Sequence, residues 1–457
     1  CFCSLYTVYD VQRRINRERN NREAKIMGET DFSLPEGTHT VVMGMGDANG
    51  IMRGKRIPAG HWDNICKSGN AYSIATFAVD MTCDVWDTPY VNFDNGYPDF
   101  HMFPATKPVA SPWEEGVAYC FGRAEGMDHK PVPLDPRNAL IAQVERAAVM
   151  GYEVNVGTEL EFYLLDPETM KPKDKGIDVY GLARAAEMEH VLGPIRRHID
   201  ACGIPLEQSN PEYAAGQVEV NIRYGEALQA ADRVVMFRSL VKQLAIAHGY
   251  HATFMAKPFF EESGNGFHVH HSLWKDGKNV MADGGKLSAT GMNYLGGLQA
   301  RMVEASITTA ATPNAYRRIQ PYSFCPSNNT WGGDNRTVGL RVIEGSDSAV
   351  RIEQRNAAAD CNPYLLLAAQ IAAGLDGIER GLQPSAKEEG NGYENTEATP
   401  LPTDLSTAVE LARNNDWLKG VMGELVHEFQ MQQADRELDF FAQQVTQVEI
   451  DRYMTSF

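Results

Sequence analysis

At residues 264–272 the chain reads Gly-Asn-Gly-Phe-His-Val-His-His-Ser, which places three histidines within four positions behind two glycines. Successive side chains of a strand point to opposite faces, so His268 and His270 are predicted to share one face and His271 the other. Imidazole binds borderline divalent metals and also contacts phosphate, while glycine lets the backbone approach a ligand closely. Taken alone, the stretch fits a surface loop as well as a ligand site. Carboxylates elsewhere in the chain favour the site.

The composition describes a large globular protein and excludes several classes of partner. The chain has 457 residues, of which 43% are hydrophobic, and its formal net charge is −18. This charge repels nucleic acid and anionic membranes, although local arginines or bound cations can still hold a phosphate-bearing substrate. No apolar run reaches the roughly 18 residues of a transmembrane helix. The eight cysteines are scattered without a metal-type CxxC pair, which predicts reduced thiols and a cytoplasmic protein.

The chain is predicted to divide into an extension and two domains of class α+β. Residues 1–34 form a poorly structured extension, in which Met27 could be the true start. Residues 35–134 form a small strand-rich domain, and residues 135–457 form a large catalytic domain. The patterns predict strands at 38–44, 51–57, 75–79, 116–122, 153–165, 217–223, 253–256, 267–273 and 351–355, and helices at 138–150, within 181–202, and at 227–248, 296–309, 363–378, 405–413 and 417–455.

Two pairs of acidic residues lie on or beside predicted strands. Glu159 and Glu161 are two residues apart and therefore share one strand face, with apolar side chains on the other. Two acids on one face repel each other, so a positive group is expected beside them. Glu212 and Glu219 flank small residues that permit close approach to a ligand. Each pair is also compatible with an ordinary solvated strand face, so neither pair decides the function alone.

A third strand pattern, at residues 351–355, reads Arg-Ile-Glu-Gln-Arg and places Arg351, Glu353 and Arg355 on one face. Two interpretations fit it. It could be a structural salt-bridge ladder, or Glu353 could hold a metal while the arginines face phosphate oxygens. Further guanidinium groups in the same half of the chain come from Arg317, Arg318, Arg336 and Arg341.

Carboxylates with one histidine suit Mg²⁺ or Mn²⁺. Two such metals and several arginines can together bind ATP and stabilise a transferring phosphoryl group. The sequence contains neither a GxxxxGK[ST] loop nor the set of kinase motifs, so neither common nucleotide-binding fold is indicated.

In their order along roughly residues 35–457, the motifs of this chain resemble those of the glutamine synthetase superfamily (type I-like). The resemblance implies a β-grasp-like N-terminal domain and a catalytic domain with a curved antiparallel sheet flanked by helices. It also implies a dodecamer of two hexameric rings with active sites between subunits. The motifs are Asp-Ala-Asn-Gly-Ile-Met-Arg-Gly-Lys at 47–55, Glu-Leu-Glu at 159–161, the segment 212–219, Gly-Asn-Gly-Phe-His-Val-His at 264–270, Asn-Arg-Thr at 335–337, and the strand 351–355 followed by Asn-Pro-Tyr-Leu at 362–365.

The resemblance further implies a role for individual residues. ATP would phosphorylate the γ-carboxylate of glutamate, a nitrogen nucleophile would displace the phosphate, and arginines and metals would offset the developing charge. The first metal would be held by Glu161, Glu212 and Glu219, and the second by Glu159, His268 and Glu353. ATP would contact Tyr224, His270, Ser272, Arg336, Arg341 and Arg351. Glutamate would contact Gly264, Asn265, Arg318 and Arg355. Catalysis would depend on Arg336, Arg351 and Glu353.

Two departures from the family pattern concern the nucleophile. Members that use ammonia carry a glutamate on a flap after a Tyr-Lys/Arg-Arg segment, whereas residues 316–326 here read Tyr-Arg-Arg-Ile-Gln-Pro-Tyr-Ser-Phe-Cys-Pro without an acid. Phe324 or a neighbour stands at the expected position. The family's Asp-Gly-Ser-Ser loop is also missing, and residues 68–73 stand near its place. Less negative charge attracts ammonium poorly, and an aromatic ring packs against a carbon-bearing amine.

We therefore predict a γ-glutamyl-amide synthetase that uses glutamate, ATP and an organic amine. The amine itself is left open, with polyamines ranked lower because they would require acids in the pocket. Two alternatives are a glutamine synthetase that uses ammonia and a non-catalytic assembly protein of the same fold. The second is disfavoured because all six candidate metal ligands are present.

Overall fold

The computed structural model of the protein describes residues 31–173 and 179–456. Its strands form where apolar residues recur with a period of two. In chain order the strands are β1 (Thr40–Gly46), β2 (Met52–Pro58), β3 (Asn70–Ser73), β4 (Asp99–Pro104), β5 (Val109–Ala110), β6 (Val117–Gly126), β7 (Glu153–Leu165), β8 (Leu206–Pro211), β9 (Gln217–Glu226), β10 (His251–Thr253), β11 (Gly266–Lys275), β12 (Lys278–Asn279), β13 (Ala282–Asp283), β14 (Lys286–Leu287), β15 (Trp331–Gly332), β16 (Leu340–Ile343) and β17 (Arg351–Ala358).

Several of the helices begin at polar side chains that accept hydrogen bonds from the first turn, such as Ser288 and Asn362. The helices are α1 (Trp62–Ser68), α2 (Arg137–Val149), α3 (Leu182–Ala201), α4 (Ala227–Ala247), α5 (Ala289–Arg301), α6 (Ser306–Thr309), α7 (Pro313–Tyr316), α8 (Pro363–Arg380), α9 (Leu405–Arg413), α10 (Asp416–Met422), α11 (Glu424–Ala442) and α12 (Gln447–Tyr453), with 3-10 turns at Ala59–His61, Ile74–Phe77 and Gly392–Glu394. Among the described residues, none of these helices is long and apolar enough to span a membrane.

The described residues fall into two compact units, one of residues 31–138 and 164–252 and the other of residues 139–163 and 253–456. The predicted three-part division stays a prediction. Residues 1–30 of the predicted extension lie outside the described residues. The backbone oxygen of Phe32, near the end of that extension, accepts a hydrogen bond from Nε1 of Trp62 at 2.8 Å.

The first unit contains a mixed sheet of order β2-β1-β6-β4-β3, in which β1 and β6 run parallel and the other neighbours antiparallel. The strands predicted at 38–44 and 51–57 are confirmed as β1 and β2, which form an antiparallel hairpin. Its turn is organised by the buried carboxylate of Asp47, which accepts the backbone N–H groups of Asn49 and Ile51 and pairs with Arg53. Strands β8 and β9 form a second, antiparallel pair in this unit.

The second unit contains strands in the order β15-β16-β17-β11-β7. All neighbours are antiparallel except β15 and β16. The register is what builds the site. It sets His268 of β11 opposite Glu159 of β7, and His270 of β11 opposite Glu353 of β17. The α+β class and the largely antiparallel catalytic sheet are therefore confirmed.

Two short predicted strands are wrong. Residues 75–79 were expected to be extended, but the chain forms the 3-10 turn Ile74–Phe77, because the side chain of Ser73 caps the backbone of Ala75. Residues 253–256 were also expected to be extended, but the strand is His251–Thr253. Beyond it the backbone oxygen of Ala256 accepts a hydrogen bond from the N–H of Asn265.

Two predicted helices differ from the observed ones at their ends or in continuity. The helix expected at 296–309 begins earlier, after the cap Ser288, and ends at Arg301 before the separate turn Ser306–Thr309. The helix expected at 417–455 is broken twice. Gly423 adopts a φ of +83° between α10 and α11, and Thr446 starts α12 with its own capping box.

Candidate functional site

Two carboxylates and two imidazoles converge where β7, β11 and β17 lie side by side. Nδ1 of His268 lies 3.3 Å from Oε2 of Glu159 and 3.7 Å from Oε1 of Glu353. Nε2 of His270 lies 3.0 Å from the other oxygen of Glu159. One ligand atom from each of Glu159, His270 and Glu353 falls within 4.8 Å of the other two. The side chains of Glu159, His268, His270 and Glu353, which strand alternation predicted to share a face with their neighbours, thus lie together.

The opposite faces of the same strands carry the core. Leu160 and Phe162, which alternate with the acids of β7, are fully buried. His271 likewise points away from the carboxylates, as predicted. Its Nε2–H donates to Oε1 of Gln370 at 2.9 Å, and its Nδ1 accepts from the hydroxyl of Tyr294 at 3.3 Å. Burial lowers the pKa of His271 to about 4, so the ring is neutral and structural.

Glu353 is a fully buried carboxylate held by two arginines. Nη1 of Arg341 donates to its Oε2 at 2.9 Å, and Nη1 of Arg355 donates to its Oε1 at 2.5 Å. Burial alone would raise the pKa of Glu353, but Arg355 and the nearby imidazoles hold it at about 2. Glu159 behaves in the same way: burial opposes ionisation, while His270 and His268 keep its pKa well below the usual range. Both carboxylates are therefore ionised at neutral pH.

The donor set fits a divalent cation of the Mg²⁺ or Mn²⁺ type. Two ionised carboxylates supply oxygen ligands, and Nδ1 of His268 faces both of them. His270 is less suited to a shared ion, because its Nδ1 accepts a hydrogen bond from Nε of Arg351 at 3.3 Å. Arginine cannot give up its proton at ordinary pH, so this hydrogen bond occupies the lone pair of Nδ1 of His270. This geometry favours His268 over His270 as the metal-binding histidine.

The glycines of the opening stretch bring backbone close to this cluster. A Cβ on Gly266 would lie 2.6 Å from Nη2 of Arg318, 3.1 Å from Nε2 of His268 and 3.4 Å from Oε1 of Glu161. A Cβ on Gly264 would lie 2.7 Å from Cγ of Arg318. Oε2 of Glu161 also accepts the backbone N–H of Gly266 at 2.7 Å. Both glycines thus pack closely against the buried side chain of Arg318.

The remaining predicted arginines lie around the same face. Arg351 donates through Nη1 to the backbone oxygen of Ala349 at 2.9 Å as well as to His270. Arg341 divides its guanidinium between Glu353 and the exposed Asp334, whose Oδ1 it contacts at 2.5 Å. Arg336 is exposed, and its charge helps to lower the pKa of Asp334 after the direct hydrogen bond from Arg341. Of the three arginines predicted to bind phosphate, Arg336 is exposed, whereas Arg341 and Arg351 are half-buried.

Other predicted ligand residues have structural contacts of their own. The side chain of Asn265 is fully buried and donates to the backbone oxygen of Met255 at 2.8 Å, so it supports the loop. The hydroxyl of Ser272 accepts from Nε1 of Trp274 at 2.9 Å. Three further predicted residues belong to the first unit: Glu212 accepts from Nδ2 of Asn210 at 3.0 Å, Glu219 is buried on β9, and Tyr224 near the end of β9 is 57% exposed.

The loop at residues 316–326 contains backbone conformations that L-residues seldom adopt. Tyr322 and Phe324 have φ values of +64° and +58°, a region that costs a non-glycine residue about 1 kcal/mol or more. Phe324, the predicted amine contact, is 45% exposed. Next to it the buried thiol of Cys325 lies 3.3 Å from Nη1 of Arg318. This contact thus links the end of the loop to the buried Arg318 near its start.

Sequence reasoning missed the residues that hold this loop from the side. The hydroxyl of Tyr393 donates to the backbone oxygen of Cys325 at 3.1 Å. The Asn-Arg-Thr motif, which was interpreted through Arg336 alone, also has a supporting function. Asn335 donates to the backbone oxygen of Gly390 at 2.8 Å, and Thr337 accepts the N–H of Gly392 at 2.8 Å. These partners are about 55–70 residues apart, so local patterns carry no signal for them.

Comparison with known proteins agrees with this geometry. The family model described as "Glutamine synthetase, catalytic domain" matches residues 133–453. A glutamate–isopropylamine ligase of Pseudomonas sp is 34% identical over 418 residues, covering 87% of this chain and 91% of the relative. The γ-glutamylethanolamide synthetase GlnA4 of Streptomyces coelicolor is 35% identical over 428 residues, covering 90% and 92%.

A solved structure gives the same result. A complex of GmaS with ADP superposes with a TM-score of 0.82 at 30% sequence identity, covering 92% of this chain and 97% of that chain. The family model covers well over half of the sequence, and both relatives align over most of it. On these grounds the chain belongs to the glutamine synthetase family.

Proposed function

We propose that this chain is an ATP-dependent carbon–nitrogen ligase that joins an organic amine to the γ-carboxylate of L-glutamate. The products are a γ-glutamyl amide, ADP and phosphate, formed through γ-glutamyl phosphate. The observation that carries the proposal is the buried Glu353, which lies between Arg341, Arg355 and His268 on one sheet face. Ionised carboxylates beside several guanidinium groups are the parts that metal-dependent phosphoryl transfer requires.

In this proposal two metal ions are held by six side chains. Bound Mg²⁺ or Mn²⁺ supplies Lewis-acid neutralisation of phosphate charge. The ionised state of Glu159 and Glu353, which the neighbouring cationic and imidazole groups maintain, supports the assignment. The first ion is assigned to Glu161, Glu212 and Glu219, and the second to Glu159, His268 and Glu353.

The remaining roles concern substrate binding and charge. Arg318 and Arg355 would bind the carboxylates of glutamate, with the Gly264 backbone against them, because both guanidiniums are buried and fixed in direction. Arg336, Arg341 and Arg351 would bind the phosphates and stabilise the charge of the transferring group. The nucleotide would also contact Tyr224, His270 and Ser272. Asn265 is assigned to support of the glutamate-binding backbone through its bond to Met255.

The choice of an organic amine over ammonia is supported from two directions. Residues 316–326 contain no acid, and the aromatic side chain of Phe324 is partly exposed there. A hydrated ammonium ion gains little from such a surface, whereas carbon-bearing amines bury apolar area against it. The two relatives above carry names that assign them isopropylamine and ethanolamide chemistry.

The test is phosphate release by the purified full chain with glutamate, ATP and Mg²⁺ or Mn²⁺. A panel of alkyl, hydroxyalkyl and aryl amines is compared with ammonium chloride at equal concentrations. We expect at least one organic amine to exceed ammonium in kcat/KM, and mass spectrometry to detect the γ-glutamyl amide. Turnover of ammonium far above every amine would overturn the proposal, as would the absence of glutamate-dependent phosphate release.

Assembly and location form a second part of the proposal. We infer a homododecamer of two hexameric rings with active sites between subunits, in keeping with the family. A cytoplasmic location fits the use of ATP and the six free cysteines among the described residues. Light scattering coupled to gel filtration tests the assembly, and a mass well below twelve chains contradicts it.

A further inference from the structure

The polar loop after α8 contains a turn that is firmly anchored beside the loop at residues 316–326. Gly392 begins this turn and is held by two hydrogen bonds, from its N–H to Oγ1 of Thr337 at 2.8 Å and from Nδ2 of Asn328 to its oxygen at 2.7 Å. A Cβ on Gly392 would lie 2.6 Å from the backbone oxygen of Thr337, so the turn packs against the Asn-Arg-Thr motif at residues 335–337. Asn391 caps the turn by accepting the N–H of Tyr393.

Tyr393 connects this turn to the substrate-binding arginines. Its hydroxyl donates to the backbone oxygen of Cys325 at 3.1 Å. The thiol of Cys325 lies 3.3 Å from Nη1 of Arg318. The positive charges of Arg355 and Arg318 are near enough to offset part of the rise in pKa that burial causes at the Tyr393 hydroxyl. Tyr393 therefore contacts Cys325, which in turn contacts Arg318, a residue proposed to bind glutamate.

Tyr322 and Glu394 extend this contact outward. The rings of Tyr322 and Tyr393 have centroids 5.4 Å apart, inclined at 43°. The hydroxyl of Tyr322 lies 3.4 Å from Oε1 of Glu394, which also accepts Nδ2 of Asn391 at 3.0 Å. Tyr322 is 68% exposed although its backbone is in the left-handed region. Backbone strain of this kind clusters at active sites and ligand-binding sites, and here it holds an aromatic ring next to a carboxylate.

We infer that Tyr322, Tyr393 and Glu394 form the recognition site for the amine and that they select a protonated primary aliphatic amine. This inference rests on the proposed function. Glu394 brings back a negative charge that residues 316–326 lack, from a segment about 70 residues away. The carboxylate attracts the charged group of ammonium and of an alkylamine alike, and the two tyrosine faces favour the alkylamine because they also contact its carbon chain. An aryl amine, which is neutral at pH 7, has no charge for Glu394 to attract.

The inference predicts different responses from two classes of amine. Binding of a short alkylamine such as propylamine, and of aniline, is measured by isothermal titration in the presence of glutamate, Mg²⁺ and a non-hydrolysable ATP analogue. Glu394→Gln is compared with Glu397→Gln, an exposed glutamate in the same loop. We expect Glu394→Gln to weaken propylamine about fivefold or more, with aniline unchanged. Glu397→Gln should leave both amines unchanged.

Equal propylamine affinity in the two variants overturns the inference, and so does an equal loss of aniline and propylamine. A second variant, Tyr322→Leu, should weaken propylamine while the KM for glutamate and the midpoint of thermal unfolding stay within error. A shift of those two quantities alone would assign Tyr322 a structural role. Propylamine binding that depends on Glu394 without any phosphate release would remove the proposed ligase activity while keeping this site. The experiment thus distinguishes failure of the proposed amine site from failure of the proposed ligase activity.

Discussion

Nη1 of Arg355 donates a hydrogen bond to Oε1 of Glu353 at 2.5 Å, and both side chains are withdrawn from water. The second oxygen of Glu353 is occupied by Arg341 from the neighbouring strand. A carboxylate in this position fixes two guanidinium groups while its Oε1 stays 3.7 Å from Nδ1 of His268. The salt-bridge interpretation and the metal interpretation of this strand are therefore compatible with each other.

Replacement of this carboxylate should affect both stability and activity. Glu353→Gln keeps the shape of the side chain but leaves the buried guanidinium of Arg355 without its counter-charge, which costs about 3–5 kcal/mol of unfolding free energy. Glutamate-dependent phosphate release should fall to background. The matched control is Asp334→Asn, because Asp334 also pairs with Arg341 but its side chain is 75% exposed. The control should cost less than about 1 kcal/mol in urea unfolding, and equal losses in both variants would contradict the prediction.

The period of two in strands explains which parts of the site could be predicted. It placed Glu159 with Glu161 and His268 with His270, and it separated His271, all without knowledge of strand order. It could not show that Arg341 would share Glu353, because that contact depends on the register of β16 against β17. The helix breaks were missed for a local reason, since the propensity of the surrounding residues exceeds the signal of one glycine or one cap.

Replacement of Glu161 should weaken metal binding while leaving the stability of the fold nearly unchanged. Glu161→Gln retains an oxygen that can accept the Gly266 N–H, so unfolding free energy should change by less than about 1 kcal/mol. Loss of the charge should weaken Mn²⁺ binding, followed by electron paramagnetic resonance, and should abolish turnover. Glu153→Gln, at the exposed start of the same strand, is the control and should behave as wild type. Full activity of Glu161→Gln would remove the metal assignment.

Tyr393 should contribute a pH-independent hydrogen bond over the neutral range. Burial raises its pKa to about 12, above the value near 10 of an unfolded tyrosine. A raised pKa means that the contribution is fully present below about pH 10 and is lost as the pH rises through about 12. Tyr393→Phe should therefore cost about 1 kcal/mol at both pH 7 and pH 9, measured by urea unfolding. The difference from wild type should shrink above pH 10, and a difference that already changes between pH 7 and pH 9 would contradict this assignment.

A buried ion pair in the first unit should dominate the stability of that unit. Arg137 donates through Nε and Nη2 to the two oxygens of Asp232 at 2.9 Å each, and both side chains are about 5% exposed. Asp232→Asn should cost about 3–5 kcal/mol, because the buried guanidinium loses the carboxylate that it contacts through two hydrogen bonds. Glu114→Gln tests the same bidentate geometry with the more exposed Arg56 and should cost under about 1 kcal/mol. Similar unfolding midpoints for the two variants would show that burial is not decisive here.

Gly266, at the start of β11, should be required for substrate binding because no side chain fits at this position. Gly266→Ala would place a methyl group 2.6 Å from Nη2 of Arg318. The guanidinium cannot simply withdraw, because Arg318 is buried and its Nη1 donates to the backbone oxygen of Asn356. We expect a loss of about 1–3 kcal/mol in unfolding free energy from overpacking. Displacement of Arg318 should also raise the KM for glutamate more than the KM for ATP.

The control for this glycine is Gly420→Ala in α10, where a Cβ meets nothing within 4 Å. A helical alanine in open space should leave kinetics unchanged and stabilise the chain by up to about 1 kcal/mol. Separate KM values for glutamate, ATP and amine decide the outcome. If Gly266→Ala kept the wild-type KM for glutamate, Arg318 would be a packing residue and the carboxylates of glutamate would have to bind elsewhere. If instead the KM for glutamate alone rises, the close approach of backbone and guanidinium is what shapes the glutamate site.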